Sequence, residues 1–367
     1  MNQFWEQIVT GGLAVFLSLG LDLPSRALTI NVTYDSSVTE LANAAQVESA
    51  FNTAAQTIQN LYTNSSSLNI TCYWGNAWPY GSVSLGASDT TAYGPFSYAQ
   101  LTNALRSTRT TIADSNSVAS LPAVDPIANN QWDIPRAEIK ALGLANLIGG
   151  TANDTVNDGD IGFANDTYTF DPTNRAVAGK FDFIGVAEHE ITEVMGRMTF
   201  NLSGTFVPYD LFRFTNGVRS FDPNSTNVYF SVDKGVTALK FFNTNGNGGD
   251  IQDWASSALP DSYDAFCSAG EKLFLSSADL TSVDILGYAL SYLPPRLAGV
   301  KPGSGSFQLS FTNIPSTTYT VLATTNISLS VSNWTSLGTA TDSIPGQFQF
   351  TDSHATNALR FYRLRLN

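Results

Sequence analysis

The segment Val186-Ala187-Glu188-His189-Glu190-Ile191-Thr192-Glu193-Val194-Met195-Gly196-Arg197 holds the residue types that metal-assisted hydrolysis needs. His189 and Glu193 are four positions apart. On a helix both side chains leave the same face, one turn apart, which is the spacing of two ligands gripping one ion. Glu190 follows the first ligand directly. A carboxylate there lies beside the ion and can take a proton from water. Ile184, Ala187, Ile191, Val194 and Met195 recur at helical spacing and would bury the helix back in a core. Gly196 supplies a stop.

The ligand set must be completed by acids. The chain has two histidines, His189 and His354. His354 lies near the C-terminus in a Ser/Asp/Asn turn context and reads as a surface residue. One chain therefore cannot assemble three imidazoles here. Zinc also accepts carboxylate oxygen, at ~2.0–2.2 Å, so Zn2+ is the first candidate cofactor. The pattern differs from H-E-x-x-H by one residue, with Glu193 where the second histidine would stand. Calcium is the second candidate. Asp154–Asn165 has acids at positions one and five and Gly159 at position six of a calcium-loop spacing, but Asn165 where a closing glutamate belongs. Asn243–Asp253 is another oxygen-rich turn. Cys72 and Cys267 are not in a C-x-x-C, which argues against a thiolate metal site. They read either as an export-dependent disulfide or as two buried thiols.

The 367 residues are 43% hydrophobic and 12% aromatic, enough for a packed core, yet only 13% are charged. Asn, Thr, Ser and Gly take the place of Lys and Glu, as is typical of secreted proteins. A net charge of −13 argues against nucleic acid as a partner and against adsorption to anionic lipid. Residues 8–20 form an apolar run of signal-peptide length, with Ser25-Arg26-Ala27 as a small-x-small cleavage site. Residues 1–27 are thus expected to be a signal peptide, leaving a secreted chain with no membrane association after cleavage.

These site residues need a scaffold. Leu28–Tyr34 and Ser67–Trp74 read as strands, and Val38–Tyr62, Tyr98–Ala113 and Arg136–Ile148 as helices. Residues 75–96 read as loop. Short extended stretches at Ile161–Ala164 and Thr167–Phe170 precede the metal helix, at about residues 181–195. Beyond it come the segments Thr205–Arg213 and Val228–Val232, a Gly/Asn loop at Asn243–Asp250, and a closing helix at Ser276–Leu290. Leu293-Pro294-Pro295 marks a boundary. The expected domains are 28–293, a linker at 294–303, and a small all-β sandwich-like domain at 304–367.

The order strand, helix, strand, extended segment, motif helix resembles the N-terminal half of the zincin peptidases. Residues 28–290 resemble a family of secreted bacterial zincin-type metallopeptidases with a motif close to H-E-[IL]-[ST]-E-x-M-G-R. Carrying the resemblance are Lys180–Gly185, Tyr209-Asp210-Leu211-Phe212-Arg213, Tyr229–Asp233, Gly248-Gly249-Asp250-Ile251-Gln252-Asp253-Trp254 and Ala278–Gly287. The C-terminal part looks like an accessory β-domain of exported bacterial proteins.

The resemblance implies an α+β zincin-like (metzincin-like) catalytic domain and a zinc-dependent endopeptidase acting on protein or peptide. It also implies an edge strand beside the motif helix, within residues 161–171, that pairs with extended substrate. The chain departs from standard metzincins. Their third ligand would fall at Thr199, and Met1, Met195 and Met198 supply no methionine turn. The resemblance then points to Asp210 as third ligand, with an ion pair to Arg213 or Arg197 as its structural alternative, and to Tyr209 as a group polarising the substrate carbonyl. The competing readings are a catalytically inactive exported binding or surface protein on the same fold, and a calcium-only carboxylate cluster.

Overall fold

The computed structural model describes residues 28–127, 132–200, 204–256, 260–290, 297–303, 305–313, 318–344, 347–357 and 359–366. The expected signal peptide lies outside them. The chain divides between Ser291 and Tyr292 into two compact units.

In the first unit, β1 (Thr29–Tyr34) leads through a one-turn helix α1 (Ser36–Thr39) into α2 (Ala44–Leu61) and β2 (Ser67–Trp74). The expected Val38–Tyr62 helix is therefore two pieces. Asp35 caps α1, and Val47, Phe51, Ala54, Ala55 and Ile58 form the buried face of α2. Strands β3 (Gly86–Thr90) and β4 (Ala92–Phe96) follow, inside the segment expected to be loop. Helices α3 (Tyr98–Thr108) and α4 (Ile112–Ser120) replace a single helix. The chain leaves helical geometry at Arg109, and Thr111 caps the second piece through the Asp114 amide. Next come β5 (Trp132–Pro135), α5 (Arg136–Ala141), β6 (Gly159–Phe163), β7 (Tyr168–Thr169), β8 (Phe181–Asp182) and α6 (Phe183–Val194). The small antiparallel sheet β9 (Arg213–Thr215), β10 (Val218–Arg219), β11 (Tyr229–Phe230) and β12 (Lys240–Phe241) precedes α7 (Ser277–Asp284), which is shorter than the closing helix expected to reach Leu290.

The main sheet has the order β1-β2-β6-β3, with β1, β2 and β6 parallel and β3 antiparallel to β6. The edge strand is thus β3. The stretch 161–171, in which an edge strand was expected, holds the end of β6, which lies between β2 and β3, and β7, which pairs with β8. Gly86-Ala87-Ser88-Asp89-Thr90 has no apolar alternation of its own and is held extended by pairing with Gly159–Phe163. Phe51 of α2, Phe163 of β6 and Phe183 of α6 meet in the core, with ring centroids 6.0 and 4.5 Å apart. Every residue of α6 except His189 is buried, so the helix runs through the unit rather than over its surface. The unit is a mixed α and β fold with several small sheets.

The second unit is all β. It contains β13 (Ala298–Gly303), β14 (Ser306–Thr312), β15 (Tyr319–Thr324), β16 (Thr335–Thr339), β17 (Thr341–Ile344), β18 (Gln347–Asp352) and β19 (Phe361–Leu366). They form two antiparallel sheets, β13-β14-β18-β17 and β16-β15-β19. Phe307, Leu309, Phe311 and Phe348 from one and Tyr319, Val321 and Tyr362 from the other share a core. Strand β13 occupies much of the stretch expected to be linker. His354 is exposed.

Candidate metal centre

Helix α6 is fixed at both ends. The Asp182 carboxylate accepts from the Gly185 amide at the N-cap, from Arg175 Nε at 2.9 Å and from the Leu273 amide at 2.9 Å. At the other end Gly196 has φ +120°, a conformation that favours glycine, and a Cβ there would meet Glu138 at 2.7 Å. The sheet side is equally close. A Cβ on Gly86 of β3 would lie 2.3 Å from Glu190 Oε1 and 2.8 Å from Val186 Cγ1. Glycine at the start of β3 is what lets the edge strand pass directly over Glu190.

His189 and Glu193 point the same way, and Asp253 reaches them from a distant loop. His189 Nε2 is 3.3 Å from Asp253 Oδ1 and 3.5 Å from Glu193 Oε1. All three ligand atoms lie within 4.8 Å of one another. A tetrahedral ion with bonds of about 2.0–2.1 Å separates its ligand atoms by about 3.3–3.4 Å. The two separations from His189 Nε2 are close to that edge length. Among the described residues, this is the group of histidine and acid side chains placed to hold a metal ion.

The atoms behind the ligands set their orientation. His189 Nδ1 donates to the Ser262 carbonyl at 2.8 Å, which leaves Nε2 as the ring nitrogen that faces the two carboxylates. Ser262 is held in turn, because its hydroxyl donates to Glu188, itself 3.5 Å from Arg175. Glu193 accepts from the Ser88 hydroxyl of β3 at 2.8 Å and from the Gln252 amide at 3.0 Å. Arg197 Nη1 donates to Asp253 at 2.8 Å, and its Nη2 lies 3.4 Å from Glu193. The guanidinium rests 4.2 Å over the Tyr263 ring.

The electrostatics follow from burial and this charge pattern. Burial opposes ionisation of Glu193, but the His189 hydrogen bond and the His189 and Arg197 charges overcome it and hold the carboxyl well below its usual range. Burial disfavours a charged His189, yet the facing Asp253 carboxylate more than offsets that and raises the imidazole pKa. Glu190 is held well above the usual carboxylate range. Burial raises it first, the His189 charge works against this, and the Glu193 and Asp253 charges add to the rise. Glu190 Oε2 has no hydrogen-bond partner among the described residues. It is a buried carboxyl beside the candidate ligands with one oxygen uncommitted.

Two expected site residues are placed elsewhere. Asp210 is fully buried and accepts from the Thr199 hydroxyl and, at 3.0 Å, from the Val207 amide. Burial pushes its carboxyl up to about 6. It caps the short 3-10 turn Pro208–Phe212, and the third acid against His189 is Asp253. Tyr209 is fully buried, its ring 6.0 Å from Phe230 and 5.7 Å from Phe242. A hydroxyl sealed in that core cannot meet a substrate carbonyl.

The calcium-like stretch is also committed. Asp154 pairs with Arg136 at 2.7 Å, and Asp158 pairs with Arg136 at 2.7 Å and Lys140 at 2.6 Å. Protein cations thus neutralise both acids, at loop positions one and five, that a calcium ion would need. In Asn243–Asp253 the Asn243 and Asn247 side chains bond each other, and the turn instead delivers Gln252 and Asp253 to Glu193 and His189. Cys72 and Cys267 are free thiols. Asp253 carried one signal in the sequence: it is an acid beside a tryptophan in a Gly/Asn-rich turn, and the Trp254 indole, bound to Asp279 at 2.7 Å, anchors that turn. No family model, curated protein or solved structure matches the chain.

Proposed function

We propose that the chain is an exported zinc-dependent endopeptidase of zincin type, with His189, Glu193 and Asp253 as ligands and Glu190 as general base. The observation that carries this is that His189 Nε2 lies 3.3 Å from Asp253 Oδ1 and 3.5 Å from Glu193 Oε1, close to the edge length of a tetrahedral site, with an uncommitted carboxyl beside them. Imidazole among the donors favours a transition ion over calcium, which takes six to eight oxygens. Bound zinc would supply Lewis acidity, polarising a carbonyl and acidifying water. Glu190 would take the water proton and return it to the leaving amine. Strand β3 supports a peptide substrate. Its outer edge is unpaired among the described residues, and it crosses Glu190 at Gly86, so an extended chain added there would bring its carbonyl past the base.

One observation favours a second reading, an exported protein with no catalytic metal. Arg197 already contacts both candidate ligand carboxylates, so the cluster can stand as a buried ion network. Elemental analysis and a peptide-cleavage assay separate the two. The expected result is about one zinc per chain, with Glu190→Gln retaining the metal and losing about 10²–10⁴-fold in cleavage rate. Equal cleavage by Glu190→Gln and wild type, with contaminating protease excluded, would remove the assignment.

A further inference from the structure

The guanidinium of Arg197 is fully buried, and its contacts are distributed in an unusual way. Nη1 donates to Asp253 Oδ1 at 2.8 Å, and Nη2 lies 3.4 Å from Glu193 Oε1 and 3.4 Å from the carbonyl oxygen of His189. Nε donates to the Thr192 hydroxyl at 3.3 Å, and that hydroxyl donates to the His189 carbonyl at 2.8 Å. One rigid fork therefore touches both ligand carboxylates and the backbone of the third ligand. The carboxylate oxygens it touches are the same oxygens that face His189 Nε2. Planar, always charged and clamped on Tyr263, it cannot move aside or lose its proton.

We infer that Arg197 is a built-in counter-cation that keeps the metal site assembled when empty and biases it toward ions that use imidazole. Two buried carboxylates this close would repel without a positive charge between them. Arg197 supplies that charge permanently, so folding of the site does not depend on metal. It also halves the negative charge offered to an incoming ion, from two units to one. A hard ion such as calcium gains its affinity from several carboxylates and loses most by this. An ion that also bonds strongly to the His189 nitrogen loses less.

The inference rests on the metal-site reading, and the test keeps the two apart. Thermal unfolding of the full chain is followed with a chelator, with zinc and with calcium, for wild type and Arg197→Gln. Wild type should stay folded in chelator, gain stability with zinc and gain none with calcium. Arg197→Gln should lose much more stability in chelator than in zinc, bind zinc at least tenfold tighter by chelator competition, and respond to calcium. Recovery of Arg197→Gln only when zinc is present supports the inference as well. If it folds in neither condition, Arg197→Lys carries the same comparison, because it retains the charge but not the fork. Equal loss of stability with and without zinc, in whichever variant folds, overturns the inference and leaves Arg197 as an ordinary core ion pair. Failure of wild type to bind zinc overturns the metal site itself.

Discussion

Asp253→Asn tests the one site residue that the sequence pattern did not single out. The substitution keeps side-chain volume and turns the carboxylate 3.3 Å from His189 Nε2 and 2.8 Å from Arg197 Nη1 into a neutral amide. Two consequences can be sized. A hydrogen bond to a charged group contributes about 1.5–3 kcal/mol. The larger penalty for an uncompensated buried charge does not apply, because Glu193 still faces Arg197 at 3.4 Å. A loss near 2 kcal/mol corresponds to a fall in Tm of about 4–8 °C for a unit of roughly this size. The effect on metal is much larger. Altering a group behind a ligand already costs about 10–100-fold in affinity, so neutralising the candidate ligand carboxylate itself should cost more than about 100-fold. The assay is zinc content after dialysis against a weak chelator, with Asp210→Asn measured alongside. Asp210 faces Thr199 and Val207, so its variant should keep full zinc and lose about 1–2 kcal/mol of stability from a weakened cap. Stoichiometric zinc in Asp253→Asn together with loss of zinc in Asp210→Asn would refute the assignment of the third ligand.

Three further outcomes are expected. Gly86→Ala would place a methyl group 2.3 Å from Glu190 Oε1 and 2.8 Å from Val186, so it should keep its metal, lose about 1–3 kcal/mol of stability and cleave peptide much more slowly; unchanged cleavage would show that β3 does not confine the base. Asp284 is pushed up to about 7, first by burial and then by the Asp114 charge, from 3.8 in an unfolded chain. The folded state therefore holds a proton that the unfolded chain has released, and the stabilisation is full below about pH 4 and lost as pH rises through about 7. Asp284→Asn should gain on wild type over that window by at most about 4 kcal/mol, and a stability difference that does not vary with pH would rule this out. Native alkylation should modify the partly exposed Cys267 slowly, since burial pushes its thiol up to about 11, and should reach the buried Cys72 only after unfolding. A requirement for reductant before labelling would contradict two free thiols.

Legibility in the sequence tracked how local each feature is. The α6 helix and its His189, Glu190 and Glu193 were readable because spacing along one helix fixes their relative direction. The C-terminal β unit was readable from its alternating strands. Helix breaks at Arg109 and beyond Thr39 were not, because two amphipathic pieces with a short joint share one apolar period. Strand β3 was invisible for a different reason. Its glycine, serine and aspartate have no strand preference, and only its pairing with β6 makes it extended.

By itself, then, the sequence determined that an imidazole and a carboxylate share a helix face with an acid beside them, and that two histidines in all cannot make a three-imidazole site. Tertiary structure alone decided which of many acids completes the triangle. Asp253 lies 60 residues beyond Glu193 in the sequence, and its approach depends on Trp254 anchoring a turn, on Gln252 meeting Glu193 and on Arg197 drawing both carboxylates to one point. Contacts of that range follow from how the core packs and leave no period in the chain from which to read them.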